Sequence, residues 1–287
     1  MDYITLMSCL LYGITIGAAY ALIASGLSII LGLMGVLNFT HGSLVMLGAY
    51  VGFTVVNLIG NFWLSLLLAP VVVALIGGVV EALMIRRLYG KDILLTLLLT
   101  FGLSLVFSNA VLIIWGGDQY SYKLPFYFSG FFQIFGVYYP KFRLFVLVFS
   151  VTLVILLTIL LNRSRWGLVI RAGMFNLEIV EAFGIKIHRV FNLLFVFCSG
   201  LAAVAGVIIG AMRSLNPSMD VEFITVALVV IVIGGLGSFK GALIGSLILG
   251  LAQSFGGTLI PGFAKYVTWT LMVIILLLRP EGLIPEK

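Results

Sequence analysis

Long, unbroken apolar runs alternate along the chain with short polar or glycine-rich joints. No Asp, Glu, Lys or Arg occurs between Tyr3 and Val80, room for three helices of about 20 residues each. Turn residues divide that stretch into Met7–Leu33, Ser43–Ile59 and Trp63–Ile85, with breaks at Gly35–Gly42 and Gly60–Asn61. After a charged loop with Arg86, Arg87, Lys91 and Asp92 come Ile93–Ile114, a Gly-, Tyr-, Phe- and Pro-rich loop over Gly116–Arg143, and Leu144–Leu161. The most charged stretch, Asn162–Val190, is followed by Phe191–Met212, a polar loop Arg213–Glu222, and the runs Phe223–Ile233, Ala242–Gly256 and Tyr266–Leu278. These runs do not alternate and are about twice as long as a barrel strand, which predicts helices. The expected fold is an all-α integral membrane protein, a polytopic bundle of eight or nine transmembrane helices. Two of these are short or interrupted, and all lie in one domain over residues 1–287.

Composition agrees with this pattern. Of 287 residues 62% are hydrophobic and only 9% charged, against about 25% charged in a soluble domain. Such a chain cannot cover a globule with polar groups, which excludes a soluble enzyme, a nucleic-acid binder and a disordered chain. The net charge of +6 comes from basic residues dispersed among apolar runs, and basic loops mark the cytoplasmic side of a membrane protein. With alternating spans, Arg86, Arg87, Lys91, Arg163, Arg165, Arg171, Lys186, Arg189, Lys240, Arg279 and Lys287 share one side, and Lys123, Lys141, Arg143, Arg213 and Lys265 the other. The first set is then cytoplasmic, with the N-terminus outside and the C-terminus inside. Tyr120, Tyr122, Tyr127, Tyr138 and Tyr139 fall in the outer loop, where a membrane–water boundary favours them. The start of the chain lacks a basic segment and a small-residue cleavage site, so no cleaved leader is expected. Cys9 and Cys198 read as small core residues.

Three features stand out as candidates for function. In Gly35–Gly42 the polar Asn38, Thr40 and His41 sit between apolar runs; a broken helix is tolerated in a membrane only where it faces protein or a water-filled cavity. An ordinary interfacial turn fits these residues equally well. Gly234–Gly245 is a second glycine-rich break, and paired interruptions point to a transporter core built as a two-half internal repeat. Close helix packing explains Gly241/Gly245, Gly13/Gly17, Gly48/Gly52 and Gly206/Gly210, but less well the cluster Gly234, Gly235 and Gly237. The third feature lies within 162–190, where a two-turn helix is expected over Leu177–Phe183. Asn176 would be its N-cap, Glu178 would complement the positive helix end and Gly184 would stand at C′. Met174, Leu177, Val180 and Phe183 would form its apolar stripe. So short a helix needs something to dock on. Headgroups are one option, but Glu178 and Glu181 disfavour an anionic leaflet, so a cytoplasmic partner is preferred.

The other polar residues within the spans suggest structure rather than chemistry. Glu81 is expected to snorkel or to pair near Arg86, and Asn109, Gln253, Thr96, Thr100 and Ser104 to bond between helices. No carboxylate lies in mid-span, which argues against an ion-coupled carrier working alone. No catalytic constellation and no metal-spaced cluster occurs, and an intramembrane enzyme is disfavoured.

Gly35-Val-Leu-Asn-Phe-Thr-His-Gly-Ser-Leu-Val-Met-Leu-Gly-Ala-Tyr50 closely resembles a signature of the branched-chain amino acid permeases of ATP-binding cassette (ABC) importers. Arg171–Ile185 resembles their cytoplasmic coupling segment, Phe195–Gly210 the helix after it, and Gly234–Gly245 their second glycine-rich turn. The length is similar to that of the shorter, H-type subunit. Thr40, where Ala or Ser is more usual, and a coupling loop with fewer charges than many members have both depart from the pattern. The resemblance implies a type II importer-like fold in a bacterial inner membrane. It also implies a transport subunit without enzymatic activity that binds no cofactor, with ATP and Mg held by partners. Those partners would be a second, related permease, two cytoplasmic ATPase subunits and an extracytoplasmic substrate-binding protein. The expected pathway residues are Asn38, Thr40, His41 and Gly42, with Gly234, Gly235 and Gly237 opposite. The expected coupling residues are Asn176, Leu177, Glu178, Val180, Glu181, Phe183 and Gly184. Leucine, isoleucine and valine are the expected cargo; urea, short amides or aromatic acids would suit the same architecture.

Overall fold

The structure, a computed structural model, describes residues 2–284 and, at 263–265, the backbone alone; Lys287 and the Lys265 side chain lie outside the described residues. The described residues form eleven α-helices: α1 (Tyr3–Met34), α2 (Thr40–Ile59), α3 (Phe62–Leu83), α4 (Ile93–Trp115), α5 (Lys141–Arg163), α6 (Arg165–Phe175), α7 (Leu177–Ala182), α8 (Ile187–Met212), α9 (Met219–Gly234), α10 (Phe239–Leu259) and α11 (Val267–Leu278). Seven of them are long and apolar enough to cross a membrane. At 16 and 12 residues, α9 and α11 are too short to span a core about 30 Å thick by themselves. All nine apolar runs are helical, and the two short ones are among the last three.

The most buried helices are α1, α2, α8 and the short α9; the others surround them. Small residues set the approach, as expected where no hydrophobic force draws helices together in lipid. A Cβ on Gly13 or Gly17 of α1 would stand 2.9 or 3.0 Å from the Leu251 or Leu247 Cα of α10. Gly48 of α2 lies against the Ala203 backbone of α8, and Gly206 of α8 against the Val45 carbonyl. The packing reading of these glycine pairs therefore holds.

The two ends of the bundle differ. One carries the loop at Arg86–Lys91, the end of α5, α6, α7 and the Gly235–Ser238 turn; it is called the basic end below. The other carries the long connection from α4 to α5, which is not a plain loop. It contains an antiparallel hairpin of β1 (Phe131–Ile134) and β2 (Val137–Pro140). The hairpin turns through Phe135 and Gly136, both at positive φ, the geometry of a two-residue hairpin turn. Tyr139 is buried and its hydroxyl meets Thr15 of α1, tying the hairpin to the bundle. A second expectation is also corrected: the stretch 162–190 holds α6 as well as α7. Ser164 starts α6 by accepting from Gly167 N at 2.9 Å, an N-cap that leaves the 11-residue helix half embedded.

Candidate translocation path and coupling segment

The first break is shorter than Gly35–Gly42. Gly35, at φ +63°, ends α1, and α2 is already helical at Thr40, so Thr40, His41 and Gly42 form its first turn. The Asn38 side chain supports this start from one residue before the N-cap position, Phe39: its Oδ1 accepts from Thr40 N at 3.1 Å, satisfying one of the free N–H groups of the first turn. The entrance is held from three sides. Thr40 Oγ1 donates to the Thr100 carbonyl of α4 at 3.0 Å, and Thr100 Oγ1 donates to the Leu37 carbonyl at 3.3 Å. His41 Nε2–H donates to the Ile23 carbonyl of α1 at 2.9 Å. Gly42 lies against Asp220 O and Ile224 of α9, so the N-termini of α2 and α9 converge here. Asn38, Thr40, His41 and Ser43 are all fully buried. Asn38 Nδ2, His41 Nδ1 and Asp220 Oδ1 have no hydrogen-bond partner. An interfacial turn would be solvated; this break lies inside the bundle.

Thr96, Thr100, Ser104 and Ser108 recur every fourth residue and mark one face of α4. That face meets both converging helices: Ser43 Oγ donates to the Ser104 carbonyl at 3.5 Å and Ser108 Oγ to the Pro217 carbonyl at 3.3 Å. The Thr100 hydroxyl thus bonds beyond its own helix as expected, whereas Ser104 takes part through its backbone carbonyl. Ser108 and Asp220 were missed, although the fourfold spacing was visible in the sequence.

The second break does not face the first. Gly42 meets the start of α9, whereas Gly234 ends it, ten to fourteen residues or about 15–21 Å along the helix. Gly235 and Gly237 adopt positive φ; Gly234 abuts the backbone of Gly241, and Gly237 abuts Gly32 at the basic end of α1. These glycines therefore make a tight turn and close helix contacts. The backbone N–H groups of Leu283 and Ile284 donate to the Ile233 and Gly234 carbonyls at 2.9 and 2.8 Å, which satisfies the end of α9.

At the basic end, Asn176 Oδ1 accepts from Ile179 N at 3.2 Å, and Gly184 turns at φ +80°. Glu178 lies in the first turn of α7. The expected apolar stripe divides. Val180 is 3% exposed and Met174 and Leu177 are half-buried, but Phe183 is 81% exposed. The helix ends at Ala182, so Phe183 is the C-cap residue and leaves the inward face. Phe183 is instead exposed, as are Ile179, 51%, and Phe175 at the end of α6, 87%. Glu178 and Glu181 line a cleft of about 240 Å³ with Lys91 and His188.

The loop after α3, which lines the same cleft as α7, is tied to the bundle through Glu81, which is fully buried. Its carboxylate takes Arg86 Nη2 at 3.0 Å, Tyr89 OH at 2.6 Å, and Asn192 Nδ2 of α8. Glu81 thus pairs with Arg86 as expected; Tyr89 and Asn192 were missed. Burial first, and then the bond to Glu81, hold the Tyr89 phenol far above its ordinary value. The Tyr89 ring stacks on His188 at 6.0 Å, so the loop after α3 rests on the first turn of α8, just beyond α7.

Residues 9–278 match the family of branched-chain amino acid transport system permease components. The chain is 32% identical to the high-affinity branched-chain amino acid transport system permease protein BraD of Pseudomonas aeruginosa, covering 96% of this chain and 94% of that one. It is 30% identical to the permease protein LivH of Escherichia coli K12, covering 95% and 93%. It is 29% identical to a probable LivH of Methanocaldococcus jannaschii, covering 91% and 87%. Among solved structures, one chain of PsaBC from Streptococcus pneumoniae in complex with Fab shares the fold, with a TM-score of 0.54 over 98% of this chain and 94% of that one at 13% identity. The protein is thus a multi-pass helical membrane protein that belongs to the branched-chain amino acid transport system permease family.

Proposed function

We propose that this chain is the membrane-spanning subunit of an ABC importer that carries leucine, isoleucine and valine across the inner membrane. The family match over residues 9–278 carries this reading. In it the basic end is cytoplasmic, the N-terminus extracytoplasmic and the C-terminus cytoplasmic. A second, related permease completes the membrane part. Two cytoplasmic ATPase subunits hold ATP and Mg and hydrolyse the ATP, and a substrate-binding protein delivers the amino acid at the hairpin end.

The zwitterion passes the entrance of α2. Two helix N-termini converge there, favourable to a carboxylate, and the unpartnered Asn38 amide and Asp220 carboxylate oxygen match the two charges of an amino acid. Asn38, Thr40, His41 and Gly42 form this part of the path with the polar face of α4. Gly234, Gly235 and Gly237 bound its cytoplasmic end. The residues Asn176–Gly184 couple it to the ATPase: Val180 anchors α7, while the exposed Ile179 and Phe183 present apolar surface to the partner. ATP-driven closure of the ATPase pair moves α7 and shifts the bundle between its two open states.

The test is co-expression with the neighbouring transport genes. Charge reversal at Glu178 and Glu181, or Val180→Pro, is expected to abolish uptake and ATPase association while the chain still inserts. Normal co-purification of the ATPase with these variants would refute the coupling role. Leucine with its binding protein is expected to stimulate ATP hydrolysis; stimulation by urea, a short amide or an aromatic acid instead reassigns the cargo. Uptake by the chain alone, driven by an ion gradient in proteoliposomes, rules out the importer.

A further inference from the structure

An elongated cleft runs between α5 and α8, because α5 packs on α1 and α6 and scarcely touches α8. It opens at the basic end into a chamber of about 370 Å³ whose mouth carries Arg171, Lys240 and Ser238. Ile29, Leu161 and Ile170 continue from this chamber into a second, of about 270 Å³, lined by aliphatic and aromatic side chains. Leu160 and Phe197 pass on to a third, of about 600 Å³, which reaches Pro70 and Ala74 of α3. Among the described residues, no Asp or Glu lines any of the three. The exposed Lys240 takes part in neither of the ion pairs among the described residues. Arg171 donates to the Leu161 carbonyl, which leaves its other guanidinium donors for a ligand at the mouth.

Cations at the rim and a wholly apolar slot behind them have one natural complement. We propose that this cleft binds an anionic phospholipid, with the phosphate at Arg171 and Lys240 and an acyl chain along α5. Guanidinium and ammonium groups at the basic end of a helix bundle suit a lipid phosphate. The slot wall from Leu161 to Leu153 of α5 rises through eight residues, about 12 Å, close to the depth of one leaflet in a core about 30 Å thick. Free phosphate would fill the mouth and leave the slot empty. A helix of another subunit would fill the slot and leave the cations unpaired. The phospholipid satisfies both, whatever solute the protein transports.

Native mass spectrometry of the full chain, released from nanodiscs of mixed phosphatidylglycerol and phosphatidylethanolamine, tests this. The chain is expected to retain phosphatidylglycerol preferentially, and each cation to contribute about fivefold. Lys240→Gln, an exposed position that leaves the fold intact, lowers the preference about fivefold, and Arg171→Gln with Lys240→Gln removes it. Gly200→Phe, which fills the third chamber, lowers retention of both lipids without touching the mouth. Equal retention of the two lipids by the unaltered chain overturns the proposal, as does a preference that Lys240→Gln leaves undiminished or that the double variant leaves in place. Displacement of the lipid by an excess of inorganic phosphate assigns the mouth to a free anion and overturns it too. So does efficient cross-linking of Leu156→Cys to a second permease subunit in the assembled complex. That introduced thiol reacts selectively because Cys9 and Cys198 are buried.

Discussion

The entrance to α2 lies deep in the bundle and the segment formed by α6 and α7 at its basic end, and the two distribute polarity in opposite ways. At the entrance, polar side chains are buried: Asn38, Thr40, His41 and Ser43 are wholly enclosed by α1, α4 and α9. In the segment, apolar side chains are exposed: Phe175, Ile179 and Phe183 face outward while Ile170 and Val180 are buried. Buried polar groups inside a membrane bundle mark a path or an interhelical bond. Exposed apolar groups beyond the bundle mark a surface awaiting a partner. The first region is enclosed by the chain's own helices, whereas under the proposed function the second is covered by the ATPase. Changes at the first should therefore act on the folded chain itself, and changes at the second only on assembly.

The strongest test of that division is the helix contact behind the entrance. A side chain at Gly206 would overlap the Val45 carbonyl backbone, which cannot yield as a flexible side chain does. Gly206→Leu is expected to cost about 3 kcal/mol or more and to leave no stably inserted chain in membrane fractions. Next comes Glu81→Gln, which keeps the volume but removes the charge received by Arg86, Tyr89 and Asn192. A loss of about 2 kcal/mol is expected, read as a lower thermal midpoint in detergent. An unchanged midpoint would mean that the loop after α3 is held to α8 without this cluster.

The difference between the two regions was only partly legible in the sequence. The nine apolar runs gave the spans because continuous hydrophobicity is decided residue by residue. The α7 cap at Asn176 and the turn at Gly184 were legible because both are local backbone chemistry. The direction of Phe183 was not, since it depends on where the helix ends, and the last turn lies just before it. The hairpin at Phe131–Pro140 was hidden because its turn is Phe135–Gly136, without the Asn-Gly or Asp-Gly that announces such turns. Depth was hidden too: the glycines at 234–237 resemble those at 35–42 in composition, but only tertiary packing sets one pair of helix starts together and the other turn at the basic end.

At the segment, the expected effect is smaller and confined to assembly. Ile179→Asp with Phe183→Asp places two charges on the exposed apolar side. The chain should insert with an unchanged thermal midpoint, while ATPase co-purification drops by about tenfold, the equivalent of about 1.4 kcal/mol. A lowered midpoint would show that this face packs within the chain and would erase the contrast with the entrance.

The smallest effect separates a path from a joint at the entrance itself. Thr100→Val removes the hydroxyl that donates to the Leu37 carbonyl and preserves shape, while the Thr100 carbonyl still accepts from Thr40. As an interhelical bond in a membrane it contributes about 0.6 kcal/mol, so the thermal midpoint should fall only slightly. If the polar face of α4 is merely a joint, transport by the assembled complex should fall no further than that small destabilisation explains. If the face borders the route of the solute, the same substitution should change the transport rate at equal amounts of inserted chain. Asn38→Leu, which removes an amide that already lacks a partner for Nδ2, should then change it in the same direction. The pair of variants thus distinguishes a polar group kept for packing from one kept for passage: packing accounts for Asn38 Oδ1, which holds Thr40 N, but not for the unpartnered Nδ2.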